Sequence, residues 1–396
     1  MIKRIEKEPI RYSEKYRETA LLTREEVEGA MERAVEQTRE NLKYFGNQFP
    51  TPATKGQVYE PMDNTEWTNG FWTGMLWLCY EYTGDGIFRE KAEEHVESFL
   101  HRVERRMELD HHDLGFLYSP SCVAAYKLTG SERGKRAGIL AADKLMERFQ
   151  ERDGFIQAWG ELGAREHYRL IIDCLMNIPL LYWAASVTGE EKYRTAAGRH
   201  FEKSCNYVIR EDASAFHTFY FDPETGEPVK GVTRQGYSDS SAWARGQAWG
   251  IYGIPLNYRE NRSAASLETY KAMTNYFLNR LPKDDVCYWD LIFGDGSGQP
   301  RDSSAAAVAV CGMCEMEKYL PETDPEKEVY RHGMHRILRS LMENYAGGKP
   351  EPGSPVLSHG VYSWHSGKGV DEGNIWGDYY YMEGLMRFWK DWNPYW

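Results

Sequence analysis

Val187-Thr188-Gly189-Glu190-Glu191-Lys192-Tyr193-Arg194 stands between an apolar, Ala-rich run and a charged amphipathic one. Two earlier stretches share its pattern: Tyr82-Thr83-Gly84-Asp85, followed by Phe88-Arg89, and Leu128-Thr129-Gly130-Ser131, followed by Lys135. Glycine ends a helix in the left-handed conformation that residues with a Cβ avoid. The polar residue after it can cap the next helix. Each stretch therefore reads as the tip of a helical hairpin. Gly84 and Gly130 are 46 residues apart, and Gly130 and Gly189 are 59 apart. Periods of this order mark arrays of helical hairpins.

The amphipathic member is clear in Glu191–Ile209, where Tyr193, Ala196, Ala197, Phe201, Cys205 and Val208 form one stripe opposite Lys, Arg and Glu. The pattern continues more loosely in Ser240–Tyr258 with Ala264–Leu281 and in Ser303–Leu320 with Pro325–Tyr345. Asn374–Trp392 and Arg24–Phe45 are left single at the two ends. Five hairpins and two terminal helices make twelve. If the terminal helices pair, the chain closes into six hairpins, the apolar helices inside and the charged-faced ones outside. The expectation is an all-α fold, an (α/α)6 toroid, as one domain over 1–396 with 1–22 as an N-terminal extension. The segments Phe219–Arg234 and Trp289–Arg301 are expected to be loops carrying short strands.

Composition narrows the function. The chain of 396 residues is 41% hydrophobic and 27% charged, the balance of a globular protein with a large core. Its 14% aromatic content excludes disorder and fits flat ligands such as sugars, although core packing explains any single ring more simply. A formal charge of −12 argues against nucleic acid and against anionic membrane surfaces. Seven cysteines, an odd number scattered through apolar stretches, read as buried reduced thiols. Cys311 and Cys314 lie within an Ala/Val-rich helical run and read as packing groups. The charged first 22 residues contain no apolar core of a signal peptide, and no 18-residue apolar run occurs, so a cytoplasmic location without a membrane span is expected.

In a toroid the loops that enter the inner helices converge on one mouth. Asp63-Asn64, Trp67, His111-His112-Asp113, Gln157, Trp159, Asp173, His217, Arg234-Gln235, Arg245 and Trp249 fall at such places. Asp173 opens the apolar helix Cys174-Leu175-Met176. It either caps that helix or, among Ile171, Ile172 and Cys174, resists ionisation and holds a proton to donate. Asp113 is either a loop carboxylate or a second charge that discourages ionisation of Asp173. His217, flanked by aromatics, is a satisfied half-buried histidine or a hydrogen-bonding partner for a ligand. Trp67, Trp159, Trp243 and Trp249 divide between core filling and sugar stacking. Arg245 on an inner helix demands an acceptor, with Asp113, Asp239 or a substrate carboxylate as candidates. Ser363, Ser366 and Lys368, on a Gly-containing loop, form either a solvated turn or an oxyanion cradle. No metal-ligand spacing, phosphate loop or dinucleotide fingerprint is present.

From about Asp63 onward the chain resembles the unsaturated glucuronyl hydrolases, glycoside hydrolase family 88. The likeness rests on Asn64-Thr-Glu-Trp67-Thr-Asn-Gly-Phe-Trp-Thr-Gly, His112-Asp113-Leu-Gly-Phe, Ile172-Asp173 with Met176-Asn177, and Arg234-Gln-Gly through Asp239 and Trp243 to Arg245-Gly-Gln-Ala-Trp249. The resemblance implies an (α/α)6 barrel acting on oligosaccharides left by polysaccharide lyases, whose non-reducing uronic acid carries a C4=C5 double bond. It implies hydration of that vinyl ether, with Asp173 protonating C4 and then activating water for C5. Asp113 would hold sugar hydroxyls and raise the proton affinity of Asp173. His112, His217, Gln235 and Arg245 would bind the uronate, and Trp67, Trp159, Trp243 and Trp249 would stack on or enclose it. Ser363, Ser366 and Lys368 resemble the sulfate-binding motif of members that prefer sulfated chondroitin disaccharides. Neither cofactor nor metal is implied, and the expected state is a monomer or weak homodimer. Alternatives are an unsaturated rhamnogalacturonyl hydrolase, a conventional inverting glycosidase using Asp113 and Asp173, and a non-catalytic helical scaffold.

Overall fold

Gly84, Gly130 and Gly189 stand just past helix ends with φ of 73°, 72° and 77° in the computed structural model, which describes residues 2–396. At the first two tips the next residue caps the following helix: Asp85 Oδ1 accepts from the Ile87 amide at 3.1 Å and Ser131 Oγ from the Gly134 amide at 3.4 Å. At the third, Glu190 makes no side-chain cap, and Thr188 Oγ instead accepts from the Glu190 amide at 3.1 Å.

The fold is mostly helical. A strongly buried set of helices comprises Asn69–Thr83, the broken helix 114–129, the broken helix 174–188, Ala244–Asn261, Ser303–Glu317 and Ile375–Trp389. Each is followed or preceded by a helix with one polar face: Arg24–Phe45, Gly86–Glu104, Glu132–Met146, Glu191–Tyr207, Ala264–Leu278 and Lys327–Ser340. Contacts run from 69–83 to 114–118, then to 174–177, 244–261, 303–317 and 375–389, which packs back on 69–83 and on 24–45. Two of the buried helices break at proline. Pro120, which lacks an amide donor, sits in a π-turn at Ser119–Val123, and Pro179 opens the second half of 174–188.

Several ends differ from the sequence expectation for identifiable reasons. The fourth buried helix starts at Ala244 instead of Ser240 because Asp290 Oδ2 holds the Ser241 hydroxyl at 2.6 Å and the Tyr237 amide at 2.8 Å in a turn. The last helix stops at Trp389, and the tail folds back so that Trp392 Nε1 and Tyr395 Oη reach Glu81 Oε2 at 3.0 and 2.7 Å. The loop after Phe219 carries strands Thr218–Phe221 and Pro228–Val232, which continue from Arg169–Ile171 into a three-stranded antiparallel sheet. Trp289–Arg301 forms no named strand, only single bridges from Asp290 to Trp243 and from Arg301 to Tyr288. A hairpin, Gly360–Ser363 with Lys368–Glu372, covers the end where these loops gather.

The N-terminal segment packs on the helices. Tyr16 is buried and donates to the Leu278 carbonyl at 3.0 Å, while Asn275 and Asn279 donate to the carbonyls of Glu8 and Pro9. All seven cysteines are buried and free. No helix of the described residues is long and apolar enough to cross a membrane.

Gly312 shows how closely the buried helices approach. A Cβ there would stand 2.6 Å from the Ile251 carbonyl oxygen and 2.7 Å from Tyr252 Cα. Gly312→Ala is expected to destabilise the protein by roughly 1–3 kcal/mol, the usual cost of overpacking. Gly198→Ala, where nothing lies within 4 Å, should leave stability unchanged or slightly raised. Thermal unfolding of both variants, followed by circular dichroism, checks the contrast.

Candidate active site

Two short helices bring two carboxyl groups together. Asp113 and Asp173 each stand immediately before a helix, and neither side chain caps it. Asn177 ties the two segments. Its Oδ1 accepts from the Phe116 amide at 2.8 Å and its Nδ2 donates to the Asp173 carbonyl at 3.2 Å. The chains touch because residue 115 is glycine: a Cβ there would lie 2.3 Å from Asn177 Cα. The strand Arg169–Ile171 delivers Asp173 from the other side, with the Ile172 amide donating to the His217 carbonyl at 3.1 Å.

The result is a cavity of about 740 Å³ whose wall includes Trp67, His111, His112, Asp113, Trp159, Arg169, Asp173, His217, Arg234, Gln235 and Tyr362. His112 Nε2 lies 3.3 Å from Asp173 Oδ1 and 3.5 Å from Asp113 Oδ1. One donor atom from each of the three residues falls within 4.8 Å of the others.

The electrostatics separate the two acids. Burial pushes the Asp173 carboxyl well above the ordinary carboxylate range, and the charge of Asp113 pushes it further. Burial acts on Asp113 in the same direction, but His112 and His111 beside it overcome that and hold it below its ordinary value. Asp173 is thus the protonated member and Asp113 the ionised one. His112 is brought down to about 4 chiefly by burial, so its ring is neutral at pH 7. Its Nδ1 and Asp173 Oδ1 are buried atoms with no hydrogen-bond partner, an arrangement that a ligand group or a proton shift can complete. The three residues also fall within reach of one metal ion. Binding it would require Asp173 to give up the proton its surroundings favour.

His217 is neutral as well, held down to about 3 by burial and by Arg245, Arg234 and Arg169. Its Nδ1 accepts from the Arg234 amide at 2.9 Å, so the ring proton sits on Nε2. Trp67 donates from Nε1 to Tyr362 Oη at 3.0 Å and stacks on Trp376 at 5.4 Å. Trp159 carries the guanidinium of Arg169 at 3.8 Å and that of Arg234 at 4.7 Å.

Three residues named from sequence stand behind the wall. Trp249 is 1% exposed and packs on Phe116 and Tyr380, so it fills the core. Trp243 lies against the His217 ring at 4.6 Å. Arg245 finds its acceptors in none of the groups expected: it pairs with Asp302 Oδ2 at 2.7 Å and donates to Gln235 Oε1 at 2.8 Å, to the Tyr362 carbonyl at 2.7 Å and to the Val361 carbonyl. Asp239 Oδ1 is occupied by the Thr233 amide. Arg245 therefore positions Gln235 and the 361–362 backbone, because its four terminal N–H donors are already taken within the protein.

Ser363, Ser366 and Lys368 lie on the hairpin at the rim, outside the cavity wall. Ser366 Oγ donates to the Ser363 carbonyl at 3.3 Å, and Lys368 Nζ stands 4.4 Å from the ring of Tyr362. Sequence reasoning passed over Tyr362 and Arg169. The signals were present: Tyr362 adjoins Ser363, and Arg169 is a charged residue in the apolar stretch Tyr168–Ile172.

Similarity to known proteins agrees with this geometry. The family model described as Glycosyl Hydrolase Family 88 matches residues 42–347. The unsaturated chondroitin disaccharide hydrolase of Streptococcus agalactiae serotype III (strain NEM316) is 63% identical over 395 residues, covering 100% of this chain and 99% of that protein. The crystal structure of an unsaturated glucuronyl hydrolase from Streptococcus agalactiae superposes with a TM-score of 0.99 at 63% identity, with 100% of both chains covered. A mutant of that hydrolase complexed with dGlcA-GalNAc6S superposes at 0.92 with 58% identity, again over 100% of both chains. Model match and full-length identity together show that this chain belongs to glycoside hydrolase family 88.

Proposed function

We propose that the enzyme releases the unsaturated uronic acid from lyase-generated chondroitin disaccharides by hydrating its C4=C5 double bond. The observation that carries this reading is the placement of Asp173 and Asp113 in one cavity wall around His112, in surroundings that raise the first carboxyl and lower the second. A vinyl ether needs a proton at C4 before water can add to C5, and a carboxylic acid that keeps its proton near neutral pH is the group for that task. Proton transfer from Asp173 to C4 leaves positive charge shared between C5 and the ring oxygen. The carboxylate so formed takes a proton from water as its oxygen bonds to C5, which returns Asp173 to its starting state. The hemiketal then collapses and frees the rest of the sugar. Asp113 stays ionised, raises the proton affinity of Asp173 and accepts from sugar hydroxyls. His112, His217 and Gln235 face the uronate, with Trp67 and Trp159 as its walls.

The mutant relative complexed with dGlcA-GalNAc6S supports chondroitin as the substrate class. Ser363, Ser366 and Lys368 at the rim are the groups we assign to a sulfate, with the lysine as the charge. The order of helix contacts supports closure into an (α/α)6 toroid of one domain, and the buried free thiols support a reducing, cytoplasmic setting.

Loss of ultraviolet absorbance as the conjugated double bond disappears measures the reaction. Asp173→Asn should slow it by about 10²–10⁴-fold or more, the contribution of a positioned general acid. Activity depends on Asp173 holding its proton, so it falls as pH rises through the raised pKa. Asp113→Asn removes the like charge, lowers that pKa and should move the alkaline limb of the pH–rate profile down by roughly one pH unit. An unmoved limb would contradict the coupling. Lys368→Ala should lower kcat/KM for 6-sulfated disaccharide roughly ten-fold or more, the loss of one charge-assisted hydrogen bond, and leave unsulfated disaccharide unchanged. Equal losses on both would remove the sulfate role.

A further inference from the structure

The segment that follows the last helix closes the end of the fold opposite the cavity. Trp67, Asp113 and Asp173 stand just before the first turns of buried helices, whereas Glu81, Lys127 and Arg259, which hold residues 390–396, stand in last turns. Glu81 Oε1 accepts from Lys390 Nζ at 2.7 Å, beside the Trp392 and Tyr395 contacts on its other oxygen. Lys127 Nζ donates to the carbonyls of Pro394, Tyr395 and Trp396 at 2.8, 3.2 and 3.3 Å. Arg259 Nη2 donates to the Trp396 carbonyl at 3.2 Å. Cations that bind the backbone of a short irregular segment in this way fix where its last side chain goes.

That side chain, Trp396, points inward among the buried helices and is 1% exposed. Its Nε1 donates at 2.8 Å to Glu383 Oε2, a buried carboxylate whose other oxygen accepts from Arg387 and Tyr252. The indole stacks on Tyr380 at 5.8 Å with planes 13° apart, and Tyr379 and Tyr252 meet it edge-on at 6.0 and 6.4 Å. The remaining contact is with Phe116, edge-on at 6.2 Å. Phe116 joins this packing to the chemistry. It is the third residue after Asp113, and its ring also touches Trp67 at 5.6 Å and Trp249 at 5.1 Å. Its amide is the donor held by Asn177 Oδ1, and Asn177 in turn holds the Asp173 carbonyl. A five-residue helix such as 114–118 has little stability of its own, and a close-packed interior passes on the displacement of one ring to the next.

The geometry points to Trp396 as a positioning residue for the reaction: through Phe116 it holds the short helix that Asp113 opens, and with it the spacing of Asp113 from Asp173. Lys127 acts one step further back, by keeping the backbone of 394–396 in place. The inference rests on the reading that these two acids carry out the hydration.

The test measures kcat, KM and the pH–rate profile on unsaturated chondroitin disaccharide for wild type, Trp396→Phe, Trp396→Leu and Lys127→Met, at a temperature where circular dichroism shows each variant folded. Trp396→Leu should lose roughly ten-fold in kcat and keep KM within about two-fold, because small misplacements of reacting groups cost rate steeply. Wider spacing of the acids, or water admitted beneath Phe116, lowers the pKa of Asp173, so the alkaline limb should move to lower pH. Trp396→Phe keeps a ring against Phe116 and should recover most of kcat and the wild-type limb. Lys127→Met loosens the segment without emptying the core and should show the same pattern at roughly three-fold in kcat. It decides the question should Trp396→Leu not fold. An unchanged kcat, a loss of kcat with an unmoved limb, or a loss that Trp396→Phe does not recover overturns the positioning role. Wild type that does not bleach the substrate, or Asp173→Asn as active as wild type, overturns the underlying reading instead, so the two failures are distinct.

Discussion

Two carboxyl groups that resist ionising together in one cavity wall are the constraint on which the rest depends. Asp113 and Asp173 are brought within a few ångströms of each other around the neutral imidazole of His112, with both carboxyl groups largely withdrawn into the wall. One must keep its proton. The surroundings decide which: His111 lies 3.3 Å from Asp113 and Arg148 adds its charge, both favouring the ionised form, whereas Asp173 has an orphaned oxygen and an apolar approach through Ile171 and Ile172. A proton donor at neutral pH follows from the asymmetry of the surroundings, since the two groups are chemically the same.

Holding such a site open is a structural problem, and three buried arginines address it in the same way. Arg102 donates to Asn64 Oδ1 and to the carbonyls of Thr65, Glu66, Met107 and Glu108, and so fixes the loops that present Trp67 and His111. Arg148 donates to the carbonyls of Gln157 and Gly160 on either side of Trp159. Arg245 does the same for Gln235 and the 361–362 backbone. Loops at the mouth of a helical ring lack a ladder of their own to satisfy their carbonyls. A guanidinium with five donors in a rigid plane satisfies several at once and sets their relative positions. The cavity wall is rigid because cations behind it are used up on backbone oxygens.

This distinction explains what was legible in the sequence. The Gly-ended tips marked three helix-to-helix turns, and Arg24–Phe45 matches to the residue, its start set by the reciprocal capping box of Thr23 and Glu26. Asp173 and Asp113 were legible as candidates, but a cap or loop role was equally open from sequence, and only the structure shows that neither caps its helix and both line the cavity. Arg245 and Trp249 lay beyond the reach of pattern alone. Both belong to the same motif, but pattern cannot tell a side chain that faces a ligand from one that faces a carbonyl or the core. The start of the fourth buried helix was misjudged because Asp290, some fifty residues later, reorganises residues 237–241. Long-range hydrogen bonds of this kind leave no local trace.

The central claim is that a proton from Asp173 reaches C4 of the sugar, and the product of the reaction run in D₂O tests this most directly. Nuclear magnetic resonance of the released uronic acid should show one deuterium bound to C4. A product without deuterium at C4, formed with the double bond intact or with solvent oxygen entering only at the anomeric carbon, would contradict the account.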